Sequence, residues 1–249
     1  MADAVATVIL DRPDRLNAQD PHMWVALGKL GTHLPGTVRV VVVRGAGRAF
    51  SAGLDRTAFS PGRDGTPSVL AALAALTPQQ ADVQIEEYQR AFRWLADPAL
   101  ISIAAVRGHA IGAGFQLALA CDLRLLADDA EFTMAEPSLG LVPDLGGTKR
   151  LVELVGYSRA AEICLTGRRV AADEAYRIGL GAVIAPLAEL DNVVDSTVAA
   201  LLAMPRDALI ETKALLLAAS GRTQAGQEAA ERQAQYRRLR DLAGSPAES

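Results

Sequence analysis

Apolar positions along the chain follow two periods. From Ala4 to Leu10 the run is rich in Val and Ile and alternates weakly, which predicts a strand. Val38 to Val43 is apolar at every position but Arg39, the pattern of a strand buried on both faces. Leu100–Val106 and Cys121–Ala127 are further strand candidates. Pro21 to Leu34 carries apolar residues at helical spacing. Pro13 and Asp14 break the first strand, and Gly45 and Gly47 end the second. After Pro186 the pattern is helical, over Leu190–Met204, Pro205–Ala219 and Thr223–Arg240. The last of these holds Glu228, Glu231, Arg232, Arg237, Arg238 and Arg240 and reads as a solvated helix. Strands alternating with helices predict an α/β fold with crossover connections.

Residues 56–80 break this rhythm. Pro61, Gly62, Gly65, Pro67 and Pro78 interrupt an alanine-leucine segment. The segment reads either as an exposed insertion or as a lid over a bound chain.

Composition narrows the class. With 249 residues, half of them hydrophobic, the chain can build one large core, or one domain with a small appendage. A net charge of −4 leaves no basic footprint for nucleic acid. Cys121 and Cys164 lie far apart without CxxC spacing and read as small core hydrophobes, so neither a disulfide framework nor a metal site is expected. The start, Met1 to Ala4, lacks a basic stretch followed by an apolar run, and no apolar run reaches spanning length. The expectation is a soluble cytoplasmic protein without a membrane partner.

The chemistry concentrates between Ala105 and Arg150. This stretch reads as a buried strand, a glycine-rich turn, a helix, a second strand and a loop carrying Glu136 and Asp144. A tight turn that opens a helix presents free N–H groups. Acids nearby can move protons. Upstream, Ala49-Phe50-Ser51-Ala52-Gly53-Leu54-Asp55 is a second small-residue turn after an apolar strand. Two such turns facing each other form a hole for a developing oxyanion. Each acid has a plainer alternative: a cap or loop salt bridge for Glu136, and capping of the helix starting near Gly146 for Asp144. The Gly108–Gly114 turn lacks G-x-G-x-x-G spacing, which argues against a dinucleotide site. His22 and His33 have no partners for nucleophilic catalysis, and His109 reads as structural.

These pieces, in this order, resemble the crotonase superfamily, the enoyl-CoA hydratase/isomerase family. The resemblance runs from Val8-Ile9-Leu10-Asp11-Arg12-Pro13 and Leu16-Asn17-Ala18 through Ala49–Asp55 and Ala105–Arg150 to Gly156, Leu165-Thr166-Gly167-Arg168 and Gly179-Leu180. It implies a crotonase-like spiral of repeated ββα units over residues 1–186. A helical C-terminal region over residues 187–249 would serve trimer contacts and cover the site. It also implies a homotrimer or dimer of trimers, and an acyl-CoA thioester as substrate. No cofactor is implied beyond the coenzyme A that the substrate carries, and no metal.

By the same resemblance the oxyanion donors are the N–H groups of Ala52 and Ala113. The CoA ester would contact Arg15, Ala52, Gly53, Leu54, Asp55, Gly112 and Ala113. Arg12, Arg48 and Arg56 are further basic residues near the first turn, Arg48 reading as surface charge. The two glutamates of the hydratases fall at Gln116 and Glu136. An amide orients but takes no proton, so Gln116 is expected to orient and half of the hydratase pair is missing. Asp144 resembles the aspartate of several acyl-CoA isomerases. Dienoyl-CoA isomerases pair acids at the positions of Glu136 and Asp144, although they also carry one at the position of Gln116. The expectation is therefore an enolate-stabilising acyl-CoA isomerase with Glu136 and Asp144 as the proton movers. Enoyl-CoA hydratase is the alternative within the family, and a non-catalytic acyl-CoA-binding protein the alternative from another class.

Overall fold

The Val- and Ile-rich runs pair as their two-sided burial predicts. The computed structural model describes residues 4–61 and 65–244. Its strands are β1 (Val5–Leu10), β2 (Val40–Gly45), β3 (Ile101–Val106), β4 (His109–Ile111), β5 (Leu123–Ala127), β6 (Glu131–Thr133), β7 (Val170–Ala171) and β8 (Val183–Ala185). Five form a wholly parallel sheet in the order β1-β2-β3-β5-β8. The other three form a smaller sheet, β4-β6-β7, in which β4 and β6 are parallel and β6 and β7 antiparallel.

The helices are α1 (Pro21–His33), α2 (Val69–Ala74), α3 (Pro78–Arg93), α4 (Ala113–Ala120), α5 (Gly147–Val155), α6 (Tyr157–Thr166), α7 (Ala172–Arg177), α8 (Leu190–Ala203), α9 (Arg206–Ala219) and α10 (Gln224–Gly244). The runs β3-β4-α4 and β5-β6-α5 each place one strand in each sheet and then a helix. This is the ββα turn of a crotonase-like spiral.

Both faces of the central strands β2, β3 and β5 are covered, which is why they are mostly apolar rather than alternating, whereas the edge strand β1 leaves Thr7 and Ile9 exposed. Val41, Val43, Ala104, Val106 and Leu126 face the core shared with α1, α3 and α4. Val40, Val42, Ile103, Ala105 and Leu125 face the other way, against Leu190 and Val194 of α8. Beyond β8 the described chain is helical. Helix α9 is fastened by Lys213, whose Nζ pairs with Asp122 at 2.7 Å and donates to the carbonyls of Asp97 and Leu100, each at 2.7 Å.

Residues 56–80 are not one insertion. Arg56–Phe59 forms a 3-10 turn, α2 follows, and Pro78 to Gln80 open α3. Pro78 starts that helix instead of breaking it, since its missing N–H lies where no intrahelical partner exists. Thr77 and Gln80 complete a reciprocal capping box there. The sequence reading thus missed α3, which buries Tyr88, Ala91 and Phe92. It stacks on α1 through Trp24, whose ring lies 5.0 Å from that of Tyr88 and 6.5 Å from that of Phe92. The expectations for Met1 to Asp3 and for Gly62 lie outside the described residues. No described helix is long and apolar enough to cross a membrane, and the described residues hold no cluster of metal ligands.

Candidate active site

The two small-residue turns meet. Ser51 lies beside β4: its N–H donates to His109 O at 2.8 Å, and Ile111 N–H donates to Ser51 O at 2.9 Å. Gly53, at φ +78°, is pressed so close to the second turn that an added Cβ would lie 2.3 Å from Ile111 O and 3.3 Å from Ala113 N. No other residue type fits there.

Among these amides the hydrogen bonds distinguish the free donors from the occupied ones. Ala52 N–H donates to Leu16 O at 2.8 Å. Gly53 N–H is held by Ser51 Oγ at 3.2 Å. Leu54 N–H has no acceptor among the described residues. Ala113 is the first residue of α4, where an N–H has no intrahelical partner, and it too has no acceptor among them. The expected Ala52–Ala113 pair is therefore not free as a pair, because Ala52 N–H is bonded within the chain; the free amides of the two turns are those of Leu54 and Ala113. The positive end of α4 adds to the field at Ala113.

Glu136 lies directly across. Its carboxylate packs against Gly112, where an added Cβ would lie 3.1 Å from Oε1 and 3.4 Å from Oε2. It opens a short 3-10 turn (Glu136–Leu139) and is buried. It neither caps a helix nor forms a salt bridge. Gln116 Nε2 donates to Glu136 Oε1 at 2.7 Å, while Glu136 Oε2 is buried without a hydrogen-bond partner among the described residues. Burial pushes this carboxyl above its ordinary value. The charge of Asp144 adds to the rise, and nearby N–H donors, Gln116 among them, offset it only in part.

Gln116 is buried in α4 and occupied at both ends. Its Oε1 accepts from Leu145 N–H at 2.9 Å and Gly147 N–H at 3.3 Å. Those two donors fix which way the amide faces. The same side chain thus holds Glu136 and the loop that carries Asp144. Asp144 is half-buried, and burial raises its carboxyl as well. It pairs with no cation among the described residues. It does not cap α5 either, since Gly146 occupies that position and no side chain closes it. Its backbone carbonyl is held by Gln89 Nε2 of α3 at 2.7 Å.

The remaining expected contacts separate. Asp55 and Arg15 are partners of each other, at 3.2 Å, and Arg12 joins them with Nη2 at 2.7 Å from Asp55 Oδ2. Asp55 also accepts from Thr57 N–H and Oγ1. Burial alone would push its carboxyl up, but the Thr57 donors and the two guanidiniums outweigh that and hold it at about 2. Its charge is committed inside the chain, fastening the first turn to the β1–α1 connection. Arg48 and Arg56 are exposed. Cys164 of α6 is half-buried, and burial, with a smaller contribution from the charge of Glu136, raises its thiol.

A depressed folded-state carboxyl stabilises the fold above its unfolded value and loses that contribution as pH falls through the folded one. Asp55→Asn is expected to cost about 2 kcal/mol near neutrality. The gap to wild type closes between pH about 4 and about 2. Urea unfolding at a series of pH values reads it; a gap independent of pH would refute the ion-pair account.

An α/β spiral whose two glycine turns leave free amides beside a buried Glu136, with a half-buried Asp144 on the following loop, is the build of the crotonase superfamily. Comparison with known proteins narrows this. A model of the enoyl-CoA hydratase/isomerase family matches residues 1–242, and the chain belongs to that family. It is 33% identical over 217 residues to the peroxisomal Δ(3,5)-Δ(2,4)-dienoyl-CoA isomerase of Arabidopsis thaliana, covering 86% of this chain and 77% of that one. It is 32% identical over 188 residues to a Mycobacterium tuberculosis protein assigned as a candidate enoyl-CoA hydratase, covering 75% and 67%. Among solved structures, a candidate enoyl-CoA hydratase of Thermobifida fusca in complex with acetoacetyl-CoA is 50% identical, with a TM-score of 0.90 over 96% of this chain and 92% of that one. Its complex with CoA gives a TM-score of 0.89 at 49% identity, covering 97% and 92%.

Proposed function

We propose that this acyl-CoA enzyme shifts a carbon–carbon double bond, with Glu136 and Asp144 moving the proton. The observation that carries the reading is the amide of Gln116, oriented by bonds at both ends. One Nε2 hydrogen goes to Glu136 and Oε1 takes two backbone N–H groups, and an amide held this way takes no proton, so it is no base for a water. Hydration needs a second proton-transfer group at position 116, beside Glu136, to deliver that water; isomerisation needs none there.

The chemistry runs as follows for a 3-enoyl thioester. The thioester oxygen sits between the N–H groups of Leu54 and Ala113. Glu136, beside Gly112 and hence next to that oxygen, removes a proton from C2. The electron pair enters the conjugated system, and the dienolate oxygen is held by the two donors. A proton returns at C4, leaving the double bond between C2 and C3. Asp144, on the loop beyond Gln116, takes that proton from Glu136 and delivers it to C4, so both carboxyls end ionised as they began. No atom is gained or lost. Two preorganised amides in a dry site are worth about 3–4 kcal/mol each toward such a charge.

Ultraviolet absorbance of the conjugated thioester tests this. Absorbance is expected to rise with 3-enoyl-CoA and stay flat with 2-enoyl-CoA. A fall with 2-enoyl-CoA would establish hydration despite Gln116. Silence from both, with CoA-ester binding measured separately, would leave a non-catalytic binder.

The coupling of the two acids gives a further expectation. A base must be deprotonated to work, so kcat/KM rises with pH through the Glu136 carboxyl, at a midpoint above 4.5. Asp144→Asn removes the charge that helps raise it. The limb should move to lower pH while the plateau falls by about 10–100-fold. An unmoved limb would mean that the two carboxylates do not sense each other.

A further inference from the structure

A buried polar chain links α1 to the first amide turn, and the mechanism above makes no use of it. Trp24 Nε1 donates to Gln19 Oε1 at 2.8 Å. Gln19 Nε2 donates to Ser51 Oγ at 3.1 Å. Ser51 Oγ donates to Asn17 O at 2.8 Å and accepts from Gly53 N–H at 3.2 Å. Gln19 and Ser51 are fully buried. A buried amide and hydroxyl in an apolar core are costly unless every bond is made. Here Gln19 Oε1, one hydrogen of its Nε2 and the Ser51 hydroxyl all find partners, and the chain of bonds ends at Gly53 N–H, next to a candidate donor.

Two features tie the chain to the oxyanion hole rather than to the core in general. Gln19 brackets Leu54 through the backbone: Gln19 N–H donates to Gly53 O and Asp55 N–H donates to Gln19 O, each at 2.7 Å. Leu54 N–H is thereby left facing away from Gln19 and unpaired. Ser51, in turn, is wedged between the two turns. Its backbone pairs with β4, and a Cβ added at Gly114, in the first turn of α4, would fall 2.8 Å from Ser51 Cβ and 3.0 Å from its Oγ. The Ser51 hydroxyl also occupies Gly53 N–H, the amide next to the donor. Without it, that N–H would be free to compete for the same oxygen.

The geometry points to Gln19 and Ser51 as positioning residues that set the separation and direction of the Leu54 and Ala113 donors. This rests on the oxyanion reading above and deepens it. Neither side chain touches the substrate; both act through the backbone of residues 53–54. Displacing a catalytic group by about 1 Å costs up to about 100-fold in rate, so the expected effect is large for residues so far from the chemistry.

Gln19→Glu keeps the acceptor for Trp24 but cannot donate to Ser51. Ser51→Ala keeps the Cβ against Gly114 and deletes only the hydroxyl. Each is expected to lower kcat by about 10–100-fold with KM nearly unchanged. The deciding readout is the infrared stretch of acetoacetyl-CoA labelled with 13C at the thioester carbonyl. On wild type the donors should shift it to lower frequency, and on both variants the shift should shrink while affinity stays within about threefold. A full wild-type shift on the variants overturns the inference and leaves the oxyanion reading intact. So does a fall in kcat that only follows lost circular dichroism, with the folded fraction fully shifted. No shift on wild type would overturn the oxyanion reading and this inference with it.

Discussion

Glu136→Gln is expected to lower turnover about 1,000-fold, the middle of the range for losing a positioned base, while acetoacetyl-CoA still binds within a few-fold of wild type. The substitution is isosteric, and the new amide oxygen still accepts from Gln116 Nε2. Only the ability to hold a proton is lost. The acidic limb of the pH profile should vanish with it. Stability should move the other way. A carboxyl whose folded-state value is raised favours the fold at low pH, and that advantage is lost as pH rises through the raised value. Above it, wild type keeps a buried charge with one oxygen unpartnered. E136Q removes that cost, so it should melt at a higher temperature than wild type near neutrality and lose the advantage in acid. Activity by ultraviolet assay, affinity by calorimetry and melting at two pH values together decide it. Turnover within tenfold of wild type would remove Glu136 from the mechanism.

The parts of the molecule that were legible in the sequence are those whose physics is local. The nearly unbroken apolar run at Val40–Val43 announces a strand covered on both sides, and the α8 contacts supply the second cover. The placement of Glu136 and Asp144 near one glycine turn follows from their position in one ββα unit. What was missed is of two kinds, one local signal that reads two ways and others set by pairing across the chain. Helix α3 begins at a proline that in isolation reads as a breaker; only the capping box at Thr77 and Gln80 identifies it as a start. A small-residue turn offers several N–H groups, and its composition does not say which stays free. That is decided by Leu16, whose carbonyl, in a loop elsewhere in the sequence, accepts the Ala52 N–H. Gln19 gave no signal, because a single glutamine in a turn looks like any solvated residue until Trp24 and Ser51 close around it.

The departure at position 116 divides the family's chemistries, and reversing it should move this chain between them. Gln116→Glu would set a carboxylate oxygen where Nε2 now donates to Glu136 at 2.7 Å. Two acids at that distance cannot both be charged, so the pair would hold one proton and titrate as a unit. Leu145 and Gly147 would still donate to the other oxygen, which favours keeping the new residue in place. Coupling of this kind separates the two steps by about 3 pH units. The acidic limb of isomerisation should therefore move upward, costing about 10–100-fold at pH 7 and recovering toward alkaline pH. The shared proton and the vacated donor together supply what hydration lacks here, a second group able to hold a water and exchange a proton with it. A fall in absorbance with 2-enoyl-CoA, absent in wild type, is the expected gain. A variant that loses isomerisation at every pH and gains no hydration would mean that Gln116 shapes the pocket and that its amide does not decide the reaction.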